Sequence, residues 1–189
     1  MNKEIYLISE QFVRTMGSIS NNVESKFVLP VIRETQDIDF QTVVGECLYN
    51  KLKELVANDE IGDMENAVYK DLLDIAQYQL LYGCLERLCL VTSAKISNAG
   101  AYQNQENGMR AFTLKEVFQL QDQYRIRKDF YTRRLQEFLL ENEKALKEID
   151  SCVCDKIRAN LRSAASTSIW LGGERGRYRI NKTNQLYYK

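Results

Sequence analysis

The sequence predicts a mainly α protein: a helical bundle built on a long antiparallel helical hairpin, with a β-hairpin-like loop and an extended C-terminal arm. Three observations predict it. A single proline, Pro30, and nine glycines in 189 residues leave few chain breakers, which favours long helices over many short strands. From Glu65 to Ser97, 33 residues, Val68, Leu72, Ile75, Gln79, Tyr82, Leu85/Glu86 and Cys89 follow three- and four-residue steps, and Leu73, Ala76, Leu80, Gly83/Cys84, Leu88 and Val91 trace a second stripe beside them. Finally, Thr113 with Glu116 makes a capping box that opens a second long helical pattern, running to about Lys147 and antiparallel to the first.

EIYLISEQFV reads as either a short strand or an edge helix. SISNNVES is a stretch of turn formers in which Asn21 or Asn22 can cap a following helix. Phe27, Val28, Val31 and Ile32 form the apolar face of a helix from about Val28 to Gln36, in which Pro30 is tolerated if it lies in the first turn. Asp37 and Asp39 are candidate caps for a second short helix through Phe40, Val43 and Val44 toward Gly45. Leu48, Leu52, Leu55 and Val56 mark an amphipathic helix from Glu46 to Ala57, and NDEIGD is a loop.

Between the long helices, NAGAYQNQENGMR from Asn98 to Arg110 has no helical period and exceeds a usual helical-hairpin connection, which predicts a β-hairpin-like excursion that contacts other molecules. The second long helix buries Leu114, Val117, Leu120, Tyr124, Tyr131, Leu135 and Phe138, a face interrupted by Arg127 and Lys128. CVCDKIRANLRSAAS accommodates a short helix, and TSIWLGGERGRYRINKTNQLYYK reads as an arm that becomes ordered against a partner. The chain therefore divides into a helical domain, 1–150, and a basic-aromatic arm, 151–189.

Composition excludes several function classes. There is no histidine, which removes histidine-dependent triads, histidine general bases and histidine-containing metal sites. No apolar run reaches the roughly 20 residues of a membrane span, and the N-terminus lacks a signal core, so a cytosolic chain without membrane association is expected. The five cysteines fit reduced thiols better than a disulfide framework. The formal charge of zero hides an asymmetry: from Lys156 onward eight basic residues face one acidic residue, so this tail carries +7 and the preceding chain −7. Such a tail can meet a neighbouring copy or an acidic partner.

Each chemical motif has a plainer account that outweighs it. Cys152 and Cys154 could ligate zinc with Cys84 and Cys89, yet structural zinc pairs its cysteines across about two to four residues. Free thiols are the better reading. LGGERG lacks the Lys-Ser/Thr of a P-loop and the strand-turn-helix setting of a dinucleotide site, which leaves flexible backbone in an interaction arm. The carboxylates Asp71, Asp74, Glu141 and Glu143 read as solvated helix faces rather than acid-base pairs. Arg175, Arg177, Tyr178, Arg179, Lys182, Tyr187 and Tyr188 could stack on and neutralise nucleic acid, although docking on acidic protein suits them better. No enzyme activity and no cofactor are expected.

SNNVESKFVLPVIRETQDIDFQTVVGECLYNKLKEL, with its G-x-x-L-Y-x-x-L segment from Gly45 to Leu52, resembles the N-terminal part of head-to-tail connector (adaptor) proteins of tailed bacteriophages. KISNAGA, FLLENE, CVC and the terminal SIWLGGERGRYRI resemble the ring protein of crAss-like phages. The resemblance runs from about Ser18 to Ile180 and lies in the order of these motifs, each weak alone. It implies a structural virion protein at the head-to-tail junction, assembled in the host cytoplasm as a ring, with twelve copies expected, directly below the portal protein. Such a ring would bind a downstream tail or second ring protein and pass DNA through its channel without sequence specificity. In this reading Ile169, Trp170, Leu171, Gly172, Gly173, Arg175, Arg177, Tyr178 and Arg179 reach onto the portal or an adjacent copy. The alternative, from another class, is a cytosolic nucleic-acid-binding protein that uses the basic tail.

Overall fold

A computed structural model describes residues 4–17, 19–20, 23–97, 100–103, 113–146, 153–154 and 157–158. The protein is mainly α, as its composition predicts. Two compact units divide at Asp150, Met1–Asp150 and Ser151–Lys189. In the second unit the described residues, Val153, Cys154, Ile157 and Arg158, are helical.

The first unit begins with an extended stretch and a short helix α1, Glu10–Met16, whose N-cap Ser9 accepts a hydrogen bond from the Phe12 N–H at 3.0 Å. Helix α2, Ser25–Thr35, passes without a break through a π-turn, Gln36–Phe40, into α3, Gln41–Val44. Three expectations give way here. Pro30 sits in the interior of α2 rather than its first turn, where it removes one ladder hydrogen bond and is held by the burial of Val28, Val31 and Ile32 around it. Asp37 and Asp39 do not cap a new helix but lie on the π-turn, with the chain already helical on both sides. The helix begins at Ser25 with Glu24 as its N-cap, and the expected caps Asn21 and Asn22 lie outside the described residues.

The wide turn also buries Gln36, whose Oε1 accepts from the Leu7 N–H at 2.6 Å and whose Nε2 donates to the Ile5 carbonyl at 3.3 Å. That pair ties the extended N-terminal stretch to the bundle. Gly45, at φ 85°, ψ 161°, then breaks the chain in a conformation that favours glycine, and α4, Glu46–Ala57, follows.

Helix α5, Ala67–Ser93, begins after a short turn at Met64–Asn66 and spans about 40 Å at the α-helical rise. It ends four residues before the expected Ser97. Thr92 Oγ1 donates to the Leu88 carbonyl at 2.7 Å, and Ser93 Oγ donates to the Leu90 carbonyl at 3.1 Å, which meets one of the orphan acceptors of the last turn. Ala94–Ser97 instead forms strand β1, antiparallel to β2, Gly100–Gln103, in the register Ala94 to Gln103 and Ser97 to Gly100.

Helix α6, Leu114–Glu141, opens on the capping box read from the sequence: Glu116 N–H donates to Thr113 Oγ1 at 3.3 Å, and Thr113 N–H donates to Glu116 Oε2 at 2.8 Å. It stops at the Asn142 C-cap rather than near Lys147. Tyr78 and Tyr82 of α5 stack on Tyr131 of α6 at 5.2 and 5.6 Å, and Glu86 pairs with Lys128 at 2.6 Å, so the two long helices run antiparallel. The core lies around α5, where Leu72, Leu80, Leu81 and Cys84 are buried with Ile32 and Phe40 on one side and Leu135 and Leu139 on another.

Candidate functional site

Three features of the first unit stand out from ordinary packing. The first is an ion cluster where the π-turn, α5 and α6 meet. Arg87 donates to both carboxylate oxygens of Asp39, at 2.6 and 3.0 Å, and its Nε lies 3.3 Å from Glu34. Lys128 reaches across from α6 to Glu86 at 2.6 Å and Asp39 at 3.5 Å. The side chains of Asp39, Glu86, Arg87 and Lys128 are only 13–19% exposed, so each charge depends on its partner. The bond to Asp39 pushes the Arg87 guanidinium further above its usual range.

Gly83 makes this meeting possible. A Cβ there would stand 2.6 Å from Thr35 Cγ2 and 3.0 Å from Asp39 Oδ2, so only glycine lets the π-turn approach α5 this closely. Next to it the Cys84 thiol donates to Thr35 Oγ1 at 3.6 Å and is pushed up to about 12 by burial. A thiol held protonated in this way is a packing group and not a nucleophile. The cluster is a clamp that ties the π-turn, α5 and α6 together.

The second feature is on the outer face of α6. Leu114, Phe118, Ile126 and Phe130, spaced at multiples of four, are 51–61% exposed. They form one ridge of the i, i+4 type, and Arg127, Arg133 and Arg134 flank Phe130 at the helical neighbour positions. The sequence reading put Leu114 and Leu120 on the buried face of this helix; both are exposed, whereas Val117, Leu135 and Leu139 point inward. Lys128 lies on the inner face beside Glu86 and Asp39, while Ile126 and Phe130 lie on the outer one.

The third feature is an open groove of about 410 Å³ on the outer side of α2. Leu29, Pro30 and Ile38 give it apolar walls, and Glu4, Glu34 and Asp37 outnumber its one cation, Arg33. Arg33 pairs with Glu4 and lies 3.7 Å from Asp37, whose Oδ1 also accepts from the Tyr49 hydroxyl at 2.7 Å.

The residues that the sequence reading singled out for interaction, Ile169 to Arg179, lie outside the described residues, as do Cys152 and most of the loop from Asn98 to Arg110. Cys84 and Cys89 are free thiols, and no group of three or more metal-ligating side chains occurs among the described residues. Asp71 and Asp74 are exposed on α5. No helix of the described residues is long and apolar enough to cross a membrane.

The sequence reading missed the outer ridge of α6 and the ion cluster. Lys128 and Arg127 interrupting an apolar face were the available signal: a lysine on an inward position implies a buried carboxylate opposite.

A family model described as a family of unknown function (DUF6712) matches residues 40–157, which is 118 of the 189 residues. No curated protein and no solved structure matches the chain.

Proposed function

The chain belongs to the DUF6712 family, a family of unknown function, and we propose that this member is a structural virion protein: a head-to-tail connector ring subunit that docks below a portal. The ring, of twelve copies, extends the DNA channel and offers the downstream tail its attachment surface. DNA passes through it without sequence specificity, and no catalysis is asked of the chain.

The observation that carries this reading is the ridge on α6. The core around α5 is already filled, yet Phe118, Ile126 and Phe130 stand in water along one face of a 28-residue helix. Large apolar side chains exposed in one row, here broken only by Asp122, are a disfavoured surface for a lone domain and an ordinary one for a subunit. The resemblance of its ordered motifs to crAss-like phage ring proteins suggests the kind of assembly. The arm from Ile169 to Arg179, rich in the residue types that anchor interfaces, reaches the portal or an adjacent copy.

The test is mass measurement of the purified protein with and without a crAss-like phage portal, using the full chain and a variant ending at Ser168. The full chain adds a ring's mass to the portal. The truncated chain keeps its helical circular dichroism and does not join. Entry of the truncated chain into the ring would overturn the role of the arm; DNA binding with a steep salt dependence and no portal binding would favour the nucleic-acid reading instead.

A further inference from the structure

Two unlike surfaces of the first unit complement each other in charge and shape. On α6, from Asp122 to Arg134, the exposed arginines Arg125, Arg127, Arg133 and Arg134 exceed the exposed aspartates Asp122 and Asp129 by two charges, with Lys128 turned inward to Glu86. In the α2 groove, Glu4, Glu34 and Asp37 exceed Arg33 by two charges of the other sign. Including the adjoining Asp39, Glu86, Arg87 and Lys128 leaves that balance unchanged, because their two anions and two cations cancel. The ridge presents a projecting apolar side chain, Phe130, between arginines; the groove presents Pro30 and Ile38 between carboxylates.

We infer that Phe130, Arg133 and Arg134 of one copy dock in the α2 groove of the next, against Pro30 and Ile38 and beside Glu4 and Glu34. This rests on the ring-subunit reading above and names the contact that would build the ring. Because ridge and groove share no residue, the contact is heterologous: each copy offers one surface and accepts on the other, so copies add head to tail until the rotation closes. A two-fold dimer made ridge to ridge is disfavoured, since it would set the arginines of both copies against each other. Salt bridges at the rim of such a contact steer and orient it, while Phe130 in the groove supplies the buried anchor.

The inference is tested with the full chain and two charge-reversed variants, Arg133→Glu/Arg134→Glu and Glu4→Lys/Glu34→Lys, by sedimentation velocity from micromolar to near-millimolar concentration at low and high salt. The native chain is expected to associate, less so as salt rises. Each variant alone is expected to sediment as a monomer, because its ridge and groove then carry the same sign. An equal mixture of the two is expected to regain the native sedimentation profile, since each variant's ridge now faces the other's groove with opposite charge.

Loss in both variants without recovery on mixing overturns the pairing of ridge with groove. Association that survives either reversal overturns it too. A native chain that stays monomeric throughout overturns self-docking while leaving portal binding, and hence the ring reading, to stand on the mass measurement above. Circular dichroism reports folding of each variant, and the single substitutions Arg134→Glu and Glu4→Lys, both at exposed side chains, replace any double variant that fails to fold.

Discussion

Helices α5 and α6 are nearly equal in length, 27 and 28 residues, and lie side by side, yet they treat their apolar residues in opposite ways. Around α5 the buried positions cover most of the circumference: Leu72, Leu73, Ala76, Leu80, Leu81, Cys84, Leu85 and Leu88 are all enclosed. On α6 the buried apolar residues shrink to Val117, Leu135 and Leu139, while Leu114, Phe118, Ile126 and Phe130 face outward. One helix is covered by its own chain on several sides. The other is buried along one stripe, and its outer side carries large apolar residues among arginines and aspartates. This chain folds around α5 and leaves one row of large apolar side chains on α6 exposed.

The largest expected effect lies in α5. Leu80→Ala, at a fully buried position, should lower unfolding free energy by about 2–5 kcal/mol, read from urea denaturation followed by circular dichroism. A loss below about 1 kcal/mol would show that α5 is not the packed centre.

Next comes the clamp between the helices. Asp39→Ala removes the carboxylate shared by Arg87 and Lys128 and should cost about 3 kcal/mol in the same assay, since two enclosed cations lose their partner. A near-neutral result would mean that water already screens the cluster.

A smaller and graded effect follows alkali. Burial raises the Cys84 thiol of α5 from an ordinary 9.0 to about 12, and burial with the Asp37 hydrogen bond raises the Tyr49 hydroxyl from 10.0 to about 12. In both cases the folded chain holds its proton more tightly than the unfolded chain. The stabilisation is therefore complete below about pH 9 and is lost as pH climbs toward 12, at up to about 1.4 kcal/mol per pH unit for each group. Denaturation midpoints at pH 8, 10 and 11 check this, and Cys84→Ala should flatten the decline.

The smallest effect belongs to α6. Phe130→Ala should change monomer stability by no more than about 0.5 kcal/mol, because its side chain is 61% exposed. A loss like that of Leu80→Ala would abolish the contrast between the helices.

Much of this fold was legible in the sequence. The breaker-poor composition announced the helical class, Thr113 and Glu116 announced the start of α6, and NDEIGD announced the turn before α5. What was not legible came from competition between equal local patterns. Pro30 and the two aspartates after it are punctuation in most chains; here the chain stays helical through the π-turn, and Gln36, buried and bonded to Ile5 and Leu7, ties the N-terminal stretch to it. On α6, periodicity picks the inward face through Val117 and Leu135 but also places on it Leu114 and Leu120, which are exposed. The set holding Val117 and Leu135 and the set holding Phe118 and Phe130 are both good helical stripes. The choice is made across space, by Lys128 reaching Asp39 and Glu86, partners 89 and 42 residues away in the chain. Of the candidate site, the arm from Ile169 to Arg179 was read from composition and lies outside the described residues, whereas the ridge and groove emerged only with the fold.

Oxidative footprinting of Phe118, Ile126 and Phe130, in the free protein and in the assembled complex with portal, tests the contact role of α6 most directly. The account predicts that these side chains are modified readily in the free chain and are protected several-fold in the assembly, while the core residues Leu80 and Leu139 stay protected in both. Equal modification of the ridge before and after assembly would contradict it.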